Sequence, residues 1–218
     1  KEAARHVTNF SQLEELRKKA NAEIAESGED GAALENWLNS TLEIAEKKLI
    51  ESTTNAIIST IDDSINLTDL TSRYSRDNIY TMVQNAGVPE GRTFVEIQER
   101  VENSVSQKKD MLIDDSLTNA KFHVVDTILE SGLNGLKKLD STTLLIEKGL
   151  TPELARMHVP RFKEYIEIKR KSLITTQITA AQEKKAVGAT ENELILFFLH
   201  AGMTNEETRS ALSELGYF

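Results

Sequence analysis

The sequence predicts an all-α fold, an elongated helical bundle with two long amphipathic helices and a C-terminal helical-hairpin region. Three observations predict it. Helix-start signals recur: Ser11 with Glu14, Thr93 with Glu96, Thr190 with Glu193 and Thr204 with Glu207 all have the spacing of a capping box, in which hydroxyl and carboxylate satisfy two orphan amides. Glycines stand at the expected helix ends, Gly87, Gly132, Gly149, Gly188, Gly202 and Gly216, where a left-handed residue closes a helix at little cost. No stretch alternates apolar and polar residues in the manner of a strand.

The first helix is expected over 11–27, with Leu13, Leu16 and Ala20 inward, and 27–31 reads as a loop. A long helix follows over 32–65. Its apolar stripe, Leu34, Leu38, Leu42, Ala45, Leu49, Ile57, Ile61 and Ile65, advances by steps that keep one face buried. Trp37, beside this stripe, reads as core or interface. Residues 66–76 read as a polar joint, 77–86 as a short helix and 88–91 as a turn. The second long stretch runs over 93–131. Phe94, Ile97, Val101, Val105 and Leu112 form its first stripe and Phe122, Val125 and Leu129 its second; Asp114-Asp115-Ser116 is a candidate break, because these residues favour caps over helix interiors.

Residues 1–131 are therefore expected to form a long-helix region and 132–218 a C-terminal helical domain. In the latter, a helix over 135–148 stops at Gly149, and Thr151-Pro152-Glu153 opens another with a hydroxyl cap, a proline where no amide bond is lost and an acid at the positive helix end. Pro160 is expected to end that helix and open a new one over 161–187. Two last helices are expected over 191–201 and 205–215. A Gly-apolar-Thr-x-Glu-x-x-Arg pattern occurs at Gly149–Arg156 and again at Gly202–Arg209.

The net charge is −9, which argues against a chain that binds nucleic acid over its whole surface. The charge is uneven. Residues 156–185 carry eight bases and three acids, a balance of +5 that leaves −14 for the remainder. Arg161, Lys163, Lys169, Arg170 and Lys171 are the candidate contacts to an acidic partner or to DNA; a solvated helix face is the plainer reading. With no cysteine there is neither a disulfide nor a thiol nucleophile. Residues 1–20 hold no continuous apolar run, so no signal peptide is expected in them, and no run is long enough for a membrane-spanning helix.

Chemistry-bearing patterns are sparse. There is no phosphate-binding glycine loop, and His6, His123, His158 and His200 lack metal-ligand spacing. His123 and Asp126 lie one turn apart, and Asp62-Asp63 and Asp114-Asp115 read as helix-end residues. The expectation is a non-enzymatic protein without cofactor or metal. The Ala201-Gly202-Met203-Thr204 turn is like that of a helix-turn-helix, but Glu206, Glu207 and Glu214 against Arg209 give the second helix the wrong sign for a DNA groove. Leu42, Leu49, Phe197, Phe198, Tyr217 and Phe218 are the candidate protein-interface residues, the last four expected to be exposed.

Residues 149–188 resemble tailed-phage head-morphogenesis proteins, the minor head proteins that accompany the portal. Gly149-Leu150-Thr151-Pro152-Glu153-Leu154-Ala155 is similar to the family's Gly-Leu-Ser/Thr-Pro-x-x-Ala turn. Leu173-Ile174-Thr175-Thr176-Gln177 with Ala181 resembles its Ile-Ala-Arg-Thr-Glu-x-x-x-Ala signature; Thr176 and Ala181 match, while Thr175 stands for the arginine and Gln177 for the glutamate. The resemblance implies a virion component at the head or head–tail vertex, acting in assembly or DNA delivery, located in the virion or the host cytoplasm and partnered by other subunits. The alternative expectation is a cellular helical adaptor or nucleic-acid-associated regulator whose C-terminal hairpin docks a partner.

Overall fold

The computed structural model describes residues 7–26 and 31–217. Among the described residues every regular element is a helix. In chain order these are α1 (Phe10–Glu26), α2 (Gly31–Ile58), α3 (Leu67–Arg73), α4 (Arg76–Asn85), α5 (Arg92–Lys138), α6 (Ser141–Glu147), α7 (Pro152–Ala186), α8 (Glu191–His200) and α9 (Asn205–Glu214). No described helix is long and apolar enough to cross a membrane. Residues 27–30 of the loop expected at 27–31 lie outside the described residues, as does His6, and Gly31 opens α2.

The chain divides into two compact units, residues 1–111 and 112–218. The division falls inside α5, earlier than the 131/132 boundary expected from sequence, because the second half of that helix meets the turns of the C-terminal helices. A Cβ added at Gly149 would lie 3.1 Å from the Ser116 hydroxyl, and one at Gly202 would lie 2.8 Å from Asn134 Oδ1.

In the N-terminal unit α1 packs along α2. Phe10, Leu13 and Ala20 are buried from α1, and Leu42, Ala45, Leu49, Ile50 and Ile57 from α2. The α2 helix ends at Ile58 rather than at 65. The hydroxyls of Ser59 and Thr60 donate to the carbonyls of Ala56 and Ile57, offering the backbone a local alternative to continued helix. The expected polar joint at 66–76 is instead α3. Asn66 caps it by accepting from the Asp69 amide at 2.8 Å, and Leu67, Leu70 and Tyr74 are buried beneath. Ser75 then caps α4, which buries Ile79 and Val83. Two expected capping boxes do not form. The first helix starts earlier, with Asn9 accepting from the Gln12 amide, and Thr93 lies inside α5 with its hydroxyl turned to Glu46.

In the C-terminal unit α5 runs straight through Asp114-Asp115-Ser116. The Ser116 hydroxyl is satisfied inside the helix by donating to the Leu112 carbonyl, and both aspartates face water, so nothing forces a break. The helix kinks at Gly132, which adopts φ 56° and ψ −141°. The buried face here is Ser116, Ala120 and Val124; Phe122 and Leu129, expected to point inward, are 63% and 79% exposed. Pro160 does not end a helix either, for α7 continues through it to Ala186.

The two Gly-apolar-Thr turns share one hydrogen-bond pattern. Gly149 and Gly202 donate to Ile146 and Leu199, and Leu150 and Met203 donate to Leu145 and Phe198, all at 3.0–3.1 Å. Thr151 and Thr204 cap the helices that follow, and Thr204 with Glu207 forms a full capping box, as does Thr190 with Glu193. Leu145, Leu150 and Ala155 of the first copy are buried, as are Phe198, Met203 and Thr208 of the second.

Two predictions follow from these ends. Gly188 and Gly202 have φ of +97° and +89°, so alanine at either strains the backbone by about 1–2 kcal/mol. At Gly202 the new methyl also meets Asn134, including its backbone nitrogen at 3.0 Å, while at Gly188 it meets nothing within 4 Å. Urea denaturation should therefore show Gly202→Ala as the more destabilised variant; equal losses would contradict the packing argument. The second concerns acid. Hydrogen bonds from the Thr190 amide, then its hydroxyl, hold Glu193 below its ordinary value of 4.5, and bonds from Thr143 hold Asp140 below 3.8. A lowered folded-state pKa means the cap contributes fully above the ordinary value and is lost as the pH falls through the lowered one. Thermal melts of Glu193→Gln, which retains an acceptor that does not titrate, should approach the wild type in stability as the pH drops through that range. A constant difference at every pH would refute this account.

Candidate functional site

A concavity of the N-terminal unit lies where the end of α2 faces α3 and α4. The last turns of α2 present Ser52, Thr53, Ala56 and Ile57 on one side. Tyr74, buried at the end of α3, donates its hydroxyl to the Thr60 carbonyl at 2.7 Å and so closes the link after α2 against the end of α3. Asp62 stiffens the same link by accepting from the Ser64 amide and hydroxyl, each at 2.8 Å. These bonds hold the Asp62 carboxyl below its usual value, with smaller contributions from Arg73 and Lys108. With Ile79 and Val83 turned into the core, α4 offers Asn78, Thr81, Met82 and Asn85 to the opposite wall. The result is an open groove of about 970 Å³ with a largely apolar lining.

Three polar residues of this groove bond to nearby backbone carbonyls. Ser52 donates to the Leu49 carbonyl, Thr81 to the Asp77 carbonyl and the Asn78 amide nitrogen to the Ser72 carbonyl. The Ser52 and Thr81 hydroxyl donors are thus committed to the backbone, and the oxygens of all three keep acceptor capacity. Arg73 is the only charged residue lining the groove, and among the described residues it makes no hydrogen bond or ion pair. The site is suited to binding an apolar body that carries one negative group near Arg73.

A second polar cluster ties the N-terminal unit together. Glu46 of α2 accepts from Arg17 of α1 at 2.5 Å and from the Thr93 hydroxyl of α5 at 2.8 Å, while Arg17 also reaches Glu14 at 3.0 Å. Its signal in the sequence is weak, since its residues come from three helices at distant positions.

The sequence-predicted cations do not form one face. Successive residues of a helix are turned by about 100°, so Arg161, Lys163, Lys169, Arg170 and Lys171 spread around α7. Arg170 points at the C-terminal hairpin and pairs with Glu207 at 2.6 Å, with both side chains about one-fifth exposed. The Lys169 ammonium lies 5.6 Å from the Tyr165 ring centre. Arg161, Lys163 and Lys171 are exposed.

Of the candidate interface residues, Leu42 and Leu49 are buried inside the N-terminal unit and Phe198 is fully buried beneath the C-terminal hairpin, so none presents a surface to a partner. Phe198 was expected to be exposed; it occupies the position of Leu145 in the first turn, where the hairpin closes on its own core. Phe197 is half-buried under the Lys184 ammonium. Tyr217 is half-buried too, donating to the Ala189 carbonyl at 3.2 Å beneath Lys185, which itself donates to the Leu215 carbonyl. Phe218 lies outside the described residues. Trp37 is 40% exposed, and the surface residues that sequence reasoning assigned inward are Phe122 and Leu129. No group of three or more metal-ligating side chains occurs among the described residues.

No known protein family matches the chain, and no curated protein or solved structure matches it either.

Glu207 performs two tasks at once, closing the Thr204 capping box through one oxygen and pairing with Arg170 through the other. Glu207→Ala should cost about 1–2 kcal/mol, against less than about 0.5 kcal/mol for exposed Glu206→Ala. Chemical denaturation of the two variants measures the difference, and similar values would show that Glu207 holds nothing.

Proposed function

We propose that the protein is a non-enzymatic structural and interaction protein, a component of a tailed-phage particle at the head or head–tail vertex. The observation that carries the interaction reading is the outward face of α5. Phe122 and Leu129 lie seven residues apart, two turns along one side of the helix, and are 63% and 79% exposed, while Ala120 and Val124 fill the core behind them. A large aromatic and a leucine kept in water at this spacing suit a seam against another helix. The particle reading is supported by the residues of 149–188 that resemble the minor head proteins. The observed turn at Gly149, with Thr151 as cap and Pro152 in the first helical turn, is compatible with that resemblance. In this reading other subunits are the partners, and exposed Arg161, Lys163 and Lys171 supply sequence-independent contact to packaged DNA.

The test is sedimentation of the purified protein at several concentrations, together with its recovery in purified particles. Wild type should form species larger than the monomer, alone or with particle proteins, and Phe122→Glu with Leu129→Glu should abolish them while leaving the helical circular dichroism intact. A wild type that stays monomeric and is missing from particles overturns the proposal.

A further inference from the structure

The groove of the N-terminal unit is a separate feature from the α5 face, and it has a definite chemistry. Its floor is apolar and low: Ala56 and Ala86 stand where larger side chains would fill the space, with Ile57 and Met82 beside them. Among its polar groups, Ser52, Asn78 and Thr81 each donate to a backbone carbonyl. Its one charge, Arg73, sits exposed without an ion pair among the described residues, and no carboxylate lines the groove.

We infer that this groove is a docking site for a short, acidic, amphipathic helix of another polypeptide. Size and charge support that occupant. The groove, about 970 Å³, is large enough to take one face of a short helix. A small-molecule site encloses most of its ligand, whereas this groove is open along its outer side and would leave one face of the occupant in water, as an amphipathic helix requires. Alanines on the floor admit the leucine or alanine side chains of such a helix at close range. A glutamate or aspartate on its flank would pair with Arg73, which feels the Asp62 charge but makes no ion pair with it, whereas a lysine there would be repelled. The bound helix would also cover the exposed methyls of Ala56 and Ala86.

The inference does not depend on the particle assignment, because it is read on the purified chain. The probes are a short helical peptide of Leu, Ala and Glu, its counterpart with Lys for Glu, and dodecanoate, each titrated into isotope-labelled protein and followed at the backbone amides of Ala56, Thr81 and Ala86. The Glu peptide should shift these amides and the Lys peptide should not. Arg73→Glu, a change at an exposed side chain, should weaken the Glu peptide about tenfold and improve the Lys peptide. Ala56→Phe, which fills the groove from an exposed position, should block the Glu peptide while the protein remains helical. Equal binding of the two peptides, no response to Arg73→Glu, or shifts with dodecanoate but not with the Glu peptide would each overturn the inference, the last by making the groove an amphiphile site.

Discussion

Much of this protein depends on one constraint, the sharp reversal of the chain between helices. A helix leaves its last carbonyls without partners, and the next leaves its first amides without them. The sequence meets both needs within three residues. A glycine in the left-handed conformation turns the chain so that its amide and that of the following apolar residue reach back to the preceding helix; a threonine then caps the next helix with its hydroxyl. Gly149-Leu150-Thr151, Gly188-Ala189-Thr190 and Gly202-Met203-Thr204 share this form. The apolar residue is what couples the turn to packing, since Leu150 and Met203 are buried. Turn geometry and core position are thereby set by the same three residues.

The N-terminal unit is arranged differently. Its helices are joined by side chains that cross between them, chiefly Glu46 with Arg17 and Thr93, and Tyr74 with the Thr60 carbonyl. Bonds of this kind are individually modest, but each fixes the approach of one helix to another. Tyr74 has the more visible effect. By donating to the Thr60 carbonyl it pins the link after α2 to the end of α3, beside the groove that both residues line.

The helical class, the glycine ends and the C-terminal hairpins were legible because each rests on chemistry local to a few residues. Glycine at a left-handed position and threonine three residues before glutamate act over one turn. What failed depended on competition between local and distant effects. Asn66 and Asp69 make 66–76 look polar, yet the same Asn66 is a cap that lets Leu67 and Leu70 enter the core. In α5 the larger side chains, Phe122 and Leu129, suggested the inner face. The inner face uses Ser116, Ala120 and Val124, with Gly149 of the first turn lying close against Ser116. Thr93 had the spacing of a cap but found a carboxylate on another helix. The groove left no periodic signal, since its walls come from three helices and its floor is defined by what alanine lacks.

Pro160 in the middle of α7 has a consequence for time rather than for shape. Without an amide hydrogen it cannot bond the Arg156 carbonyl, and its ring pushes that carbonyl aside. The hydrogen-bond ladder of a 35-residue helix is thus interrupted at one rung close to its start. Opening the turns before Pro160 need not break the rung that would otherwise join them to the rest. Their amides are therefore set to exchange with solvent ahead of those beyond Phe162, giving one helix two lifetimes.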